Sequence, residues 1–250
     1  MAGAVLRPFA FSRDDVFDGR MSEDGSHRHG AFFGRRKGHP LRSRQAELFE
    51  TLLPRLAVDI SKPANDLTRL FPATVDDIQL EIGFGGAEHL IGRATANPRI
   101  GFIGAEPFVN GMAKALAAID AAKLTNIRLH HADAVELLDW LPAASIGRID
   151  LLYPDPWPKR RHWKRRFVNE DNIARLARAL RPGGEFRFAT DWANYAEWTL
   201  ARLTRTQDFT WTAECADDWR KPWPDFTQTR YEAKAIREGR VPCYLRFKRN

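Results

Sequence analysis

Five short apolar runs in this chain end at or beside an acid, and a stretch of helical character follows each one. The runs are Asp76 to Glu81, Ile100 to Ala105 (stopping at Glu106), Ile127 to His131 (near Asp133), Ile149 to Tyr153 (reaching Asp155) and Glu185 to Ala189 (reaching Asp191). Helical patterns over Ala87 to Ala96, Val109 to Ala122, Ala134 to Leu141, Asn169 to Leu180 and Tyr195 to Thr206 separate or follow them, the fourth closed by Arg181-Pro182-Gly183-Gly184. Strands alternating with helices predict a mostly parallel, doubly wound α/β sheet, whose ligands bind outside the C-terminal strand ends. Phe209 to Ala213 and Tyr244 to Lys248 are candidate closing strands, the C-terminal one antiparallel. A lone acid at a strand–helix turn is commonly a helix N-cap. Five in register would converge on one sheet edge.

The first run enters Glu81-Ile82-Gly83-Phe84-Gly85-Gly86 and then a helix, so glycine amides and a helix start face a ligand. A dinucleotide site would favour G-x-G-x-x-G and would keep carboxylates away from its pyrophosphate. Here position 88 is Glu and acids surround the turn. That ring suits a cationic sulfonium nucleoside, with Glu106 on the ribose hydroxyls and Asp133 on the adenine amino group. S-adenosyl-L-methionine is the better-matched cofactor. Scattered His27, His29 and His39 lack metal-ligand spacing, and the chemistry needs no metal.

The net charge is +7, and its distribution carries the information. Basic residues concentrate in Arg28 to Arg44 and in Lys159, Arg160, Arg161, Lys164, Arg165 and Arg166, the latter directly after Pro154-Asp155-Pro156-Trp157. Such clusters are the footprint of phosphate contact, or else solvated faces. Residues 1–45 read as a flexible basic arm, and 46–250 as one catalytic domain. Within the latter, Leu48, Leu52, Leu53 and Leu56 mark a helix ending near Pro63. No stretch has the roughly 20 apolar residues that span a bilayer. Cys215 and Cys243 read as packing residues in a reduced, cytoplasmic protein.

Glu81-Ile82-Gly83-Phe84-Gly85, Pro154-Asp155-Pro156-Trp157-Pro158-Lys159, the basic run through Arg166 and Thr229-Arg230-Tyr231-Glu232 together resemble the bacterial tRNA (guanine-N7-)-methyltransferase family. The likeness runs from about Gly34 to the C-terminus. The glycine loop is common to many methyltransferases, whereas PDPWPK joined to a late T-x-Y-E is far more specific. Ala87 departs from the glycine often found there. The resemblance implies a Rossmann-like class I methyltransferase fold and a product, N7-methylguanosine, in the variable loop of tRNA. It implies methyl-donor contacts from Glu81, the Gly83-Phe84-Gly85 turn, Glu106, Asp133 and Asp155, with Asp155 also catalytic. It further implies substrate contacts from Lys159, Asp191, Thr229, Arg230, Tyr231 and Glu232. Arg161, His162, Trp163, Lys164, Arg165 and Arg166 would meet RNA.

Alternatives stay open at several of these positions. Thr229 to Glu232 also fits a capped helix entry, in which Glu232 would be fixed facing the pocket. Trp157 and Trp163 are candidate stacking platforms, with packing the competing role for Trp157. An amino (N6-adenine or N2-guanine) methyltransferase would want consecutive prolines after its acid or amide, where this chain has Pro156 then Trp157. A non-catalytic RNA-binding protein on the same fold would be expected to lose its strand-end acids. The chain is expected to act as a monomer or homodimer.

Overall fold

The computed structural model describes residue 34 and residues 36–250. Helices α1 (Ser43–Thr51) and α2 (Leu53–Leu56) come first, followed by a 3-10 turn over Leu67–Leu70. The alternation then runs β1 (Asp77–Ile82), α3 (Glu88–Ala96), β2 (Ile100–Ala105), α4 (Val109–Ala122), β3 (Ile127–His130), α5 (Ala134–Trp140) and β4 (Ile146–Leu152). A 3-10 turn over Arg160–Arg165 precedes α6 (Glu170–Ala179), β5 (Leu180–Thr190), α7 (Ala193–Leu203), β6 (Phe209–Trp211), α8 (Asp217–Arg220), α9 (Arg230–Arg237) and β7 (Cys243–Arg249).

The sheet order is β3-β2-β1-β4-β5-β7-β6. All pairs from β3 to β5 are parallel, and β7 runs antiparallel to both β5 and β6. The chain winds outward from β1 to β3, then returns to β4 beside β1. That reversal opens a crevice at the C-terminal ends of β1 and β4, where such sheets bind ligands.

One sheet face is mainly apolar across β1, β4 and β5. Ile78, Leu80, Ile82, Ile149, Leu151, Phe186, Phe188 and Leu245 pack there against Leu137 and Leu138 of α5, Ile173 and Leu176 of α6, and Tyr195 and Leu200 of α7. On the other face, Phe102, Ile127 and Leu129 meet Leu48, Leu56, Leu90, Met112 and Leu116. Burial of this kind is the main stabilising term.

Three expectations are corrected. The helical stretch ends at Leu56 and not near Pro63, and it is broken after Thr51: Pro54 has no N–H to extend α1 and sits instead in the first turn of the short α2. Strand β4 begins at Ile146, three residues before Ile149. Arg181 to Gly184 do not close α6, which ends at Ala179 with Leu180 already extended. They form an irregularity in β5, where Ile146 pairs with Leu180 but Arg148 pairs with Glu185, and Gly183 takes φ +77°.

Of the arm expected over residues 1–45, residues 1–33 and 35 lie outside the described residues, including Arg28 and Arg35 of the basic cluster. Residues 36–39 lie against the start of α4. The Asn110 side chain accepts from Gly38 N–H at 2.8 Å and donates to the His39 carbonyl at 2.8 Å, and Val109 N–H donates to the Arg36 carbonyl. Cys243 is buried, but Cys215 is exposed and does not pack. Among the described residues no helix is long and apolar enough to cross a membrane.

Candidate active site

The turn after β1 is built by three left-handed residues. Gly83 takes φ +68°, Gly85 φ +54° and Ala87 φ +65°. Left-handed geometry favours glycine at such points and costs an alanine roughly 1 kcal/mol. Ala87 accepts this strain with its methyl fully buried in the α3–α4 layer, so the missing third glycine leaves the turn shape intact. Gly111 lets α4 approach the turn, since a Cβ there would meet the Gly85 carbonyl at 2.4 Å. Phe84 is buried with its ring against Gly104. Its side chain is therefore core, which corrects its expected cofactor role to at most a backbone one.

At the tip of β2, the Glu106 carboxylate accepts from Gly85 N–H at 2.7 Å and Phe108 N–H at 2.8 Å. Each oxygen keeps lone-pair capacity for a ligand hydroxyl. Burial pushes its carboxyl up, and the two backbone hydrogen bonds and Arg230 pull the other way. After β3, Asp133 caps α5 by accepting from Val135 N–H at 3.0 Å. The N-cap alternative is thus realised while the residue still faces the cleft.

After β4, Tyr153 and Trp157 take φ +51° and +47° on either side of Pro154-Asp155-Pro156. Positive φ is rare for bulky side chains and clusters at functional loops. Asp155 reaches solvent through the cleft mouth, yet crowding by the walls raises its carboxyl pKa. Glu106, Asp133, Asp155, Gly83, Gly85 and Tyr231 line one cleft of about 1180 Å³, together with Tyr153 and Trp157. The sequence signal for Tyr153 is its place directly before Pro154, at the end of the β4 run.

The other two strand-end acids do not line this cleft. Glu81 is buried, with His89 Nδ1 2.9 Å from its carboxylate. The pair ties the end of β1 to the first turn of α3. Asp191 is bound by Arg240.

Near the C-terminus, Thr229 caps α9 by accepting from Glu232 N–H at 3.1 Å. The capped entry does not aim Glu232 at the pocket. The Glu232 side chain is buried and accepts from the Tyr244 hydroxyl. Burial, with Tyr244 and Glu232 beside it, pushes the Tyr153 phenol up. Tyr231 is half exposed, with its ring against Gly85, and Arg230 lies beside Glu88 at 3.3 Å.

The basic turn divides in two. Lys159, Arg160, Arg161 and Lys164 are exposed, while His162, Trp163 and Arg165 are partly buried. The Arg165 guanidinium sits 5.0 Å from the Trp157 ring centre, and Trp163 packs edge-on against Trp198. Arg166 is only 1% exposed. It donates to the Pro156 carbonyl at 2.9 Å and the Asn194 side chain at 2.8 Å, and lies within 5.0 Å of the Trp163, Tyr195 and Trp198 rings. Burial pulls its guanidinium down to about 10. Arg166 therefore braces the Pro156 loop and is withdrawn from the phosphate-facing set.

A doubly wound sheet with a glycine turn and acids at successive strand tips defines a nucleoside-binding α/β enzyme of the methyltransferase class. Residues 76–244 match the family described as "Putative methyltransferase". A tRNA (guanine-N(7)-)-methyltransferase of Rhodopseudomonas palustris (strain BisB5) is 62% identical over 89% of this chain and 88% of its own length. One from Nitrobacter hamburgensis is 60% identical over 95% of this chain and 92% of its own length. The chain belongs to the tRNA (guanine-N(7)-)-methyltransferase family. Among solved structures, the 16S rRNA methyltransferase KamB shares the fold, with a TM-score of 0.55 and 17% identity over 76% of this chain and 95% of its own.

Proposed function

We propose that this chain transfers a methyl group from S-adenosylmethionine to N7 of a guanine in the variable loop of tRNA. The observation that carries this is the meeting of Glu106, Asp133 and Asp155 in one cleft whose lining also includes Lys164 and Arg165, with Lys159 and Arg161 exposed in the same basic run. Glu106 retains acceptor capacity suited to two ribose hydroxyls, Asp133 suits an exocyclic amine, and the glycines of the turn admit close backbone approach. When bound, the cofactor supplies an electrophilic methyl group on a positively charged sulfur.

The protein's own work is then positional and electrostatic. Guanine N7 already carries a free lone pair, so no residue need act as a general base. Asp155 accepts from the guanine N1–H and amino group and favours the positive charge that the purine gains. Tyr231 and Trp157 wall the cleft and exclude water. In-line placement supplies most of the acceleration. Lys159, Asp191 and Arg230 serve the substrate, the first and last directly and Asp191 through its hold on Arg240. Arg161, Lys164 and Arg165 set register on the RNA phosphates without reading sequence. Glu81 and Glu232 act by fixing the elements that carry the cleft.

Incubating the protein with unmodified tRNA and labelled S-adenosylmethionine, then analysing nucleosides, tests this function. N7-methylguanosine is the expected product. Methyl on an exocyclic amine would overturn it.

A further inference from the structure

Parallel sheets are ordinarily apolar on both faces. Here the face opposite Leu80, Ile149 and Phe186 carries charge across three strands. Register places Gln79 beside Arg148 and Glu81 beside Asp150, then Arg148 beside Glu185 and Asp150 beside Arg187. The cover over this grid includes the loop between α8 and α9. Within that loop Trp223 packs on Tyr244 and lies over Arg187, Phe226 meets His89, and Thr227 fills the space beside Gly92.

One carboxylate in that loop gathers three arginines from three elements. Arg93 of α3 reaches Asp225 Oδ2 at 2.6 Å, Arg148 of β4 reaches the same oxygen at 2.8 Å, and Arg187 of β5 reaches Oδ1 at 2.7 Å. The three arginine side chains are at most 10% exposed. Their other acidic partners are Asp150, 3.3 Å from Arg148, and Glu185, 2.8 Å from Arg187. Withdrawing Asp225 would leave three buried guanidiniums facing only the buried Asp150 and the one-third-exposed Glu185, which is unfavourable. The arginine face therefore demands that the loop stay docked.

We propose that Asp225 is a positioning residue for methyl transfer, held by Arg93, Arg148 and Arg187 so that the following segment presents Arg230 and Tyr231 at the cleft. Thr229 caps α9 only four residues beyond Asp225, and so short a span can move little once its origin is fixed. The Phe226–His89 contact joins the same loop to the turn after β1, through the Glu81–His89 pair. Both cleft walls thus rest on one buried polar layer. This proposal deepens the function stated above and rests on it.

The test compares wild type with Asp225→Asn, which keeps shape and removes charge. Hydrogen exchange of amides 226–232, donor binding by calorimetry, and KM and kcat on tRNA are the readouts. The expected result is retained donor binding, exchange over 226–232 faster by about tenfold with β4 and β5 amides unchanged, and KM for tRNA raised about tenfold against a less than roughly threefold fall in kcat. Unchanged exchange and KM would overturn the proposal. So would faster exchange across the whole sheet with KM unaltered, the signature of a merely structural ion cluster. Arg93→Gln removes one arm of the clamp, should move the same readouts by less, and decides alone by the same criteria if Asp225→Asn is insoluble. Absence of methyl transfer by the wild type would sink the proposed function, while the exchange comparison would still judge the clamp.

Discussion

The Tyr244 hydroxyl donates to the Glu232 carboxylate, and both side chains are buried. Glu232 thereby holds α9 to β7 instead of reaching into the cleft. Tyr244→Phe would leave a buried carboxylate short of its partner, at a cost of about 1–3 kcal/mol. Thermal unfolding should show a midpoint lower by several degrees, while donor affinity stays near wild type.

Arg166 and its basic neighbours should separate cleanly. Arg166→Ala removes two hydrogen bonds and a guanidinium packed among three rings. It should cost roughly 2–4 kcal/mol, visible in denaturant unfolding without any RNA present. Arg161→Ala with Lys164→Ala should leave unfolding unchanged. Because each lost phosphate contact lowers the salt slope by about one, tRNA binding by this pair should weaken and flatten against log salt.

Gly85→Ala should damage the donor turn. The position has φ +54°, and a Cβ would lie 2.7 Å from the Tyr231 ring. Backbone strain alone is about 1–2 kcal/mol. Calorimetry should show donor affinity falling at least about tenfold, since 1.4 kcal/mol is a factor of ten.

Burial raises the carboxyl pKa values of both Glu106 and Asp155. The working form of each is ionised, so activity is lost as pH falls through the raised values. The acid limb of kcat/KM should therefore sit above the ordinary carboxylate range. Asp155→Asn should remove one of the two contributing ionisations and make the limb less steep. A limb at ordinary carboxylate pH would contradict the assignment.

The sheet was legible because its strands and helices alternate at short spacing, and because acids mark the strand tips. Three of those acids share the cleft. Glu81 and Asp191 occupy equivalent sequence positions but spend their charge on His89 and Arg240, partners that strand-tip position does not reveal. Arg166 reads as one of six adjacent basic residues, and its burial depends on Tyr195 and Trp198, about thirty residues away. The polar grid has a local signal in the sequence: Gln79 and Glu81, Arg148 and Asp150, and Glu185 and Arg187 alternate with apolar residues. Such alternation is foreign to strands buried on apolar layers at both faces. What covers the grid could not be read locally, because Asp225 lies far along the chain.

The central claim is that Asp155 orients the guanine and favours its developing charge. Its most direct test is the single-turnover rate of methyl transfer by Asp155→Asn with saturating donor and fully bound tRNA. The expected rate is lower than wild type by roughly 100-fold, about 2.7 kcal/mol of transition-state stabilisation. A wild-type rate under those conditions would contradict the account.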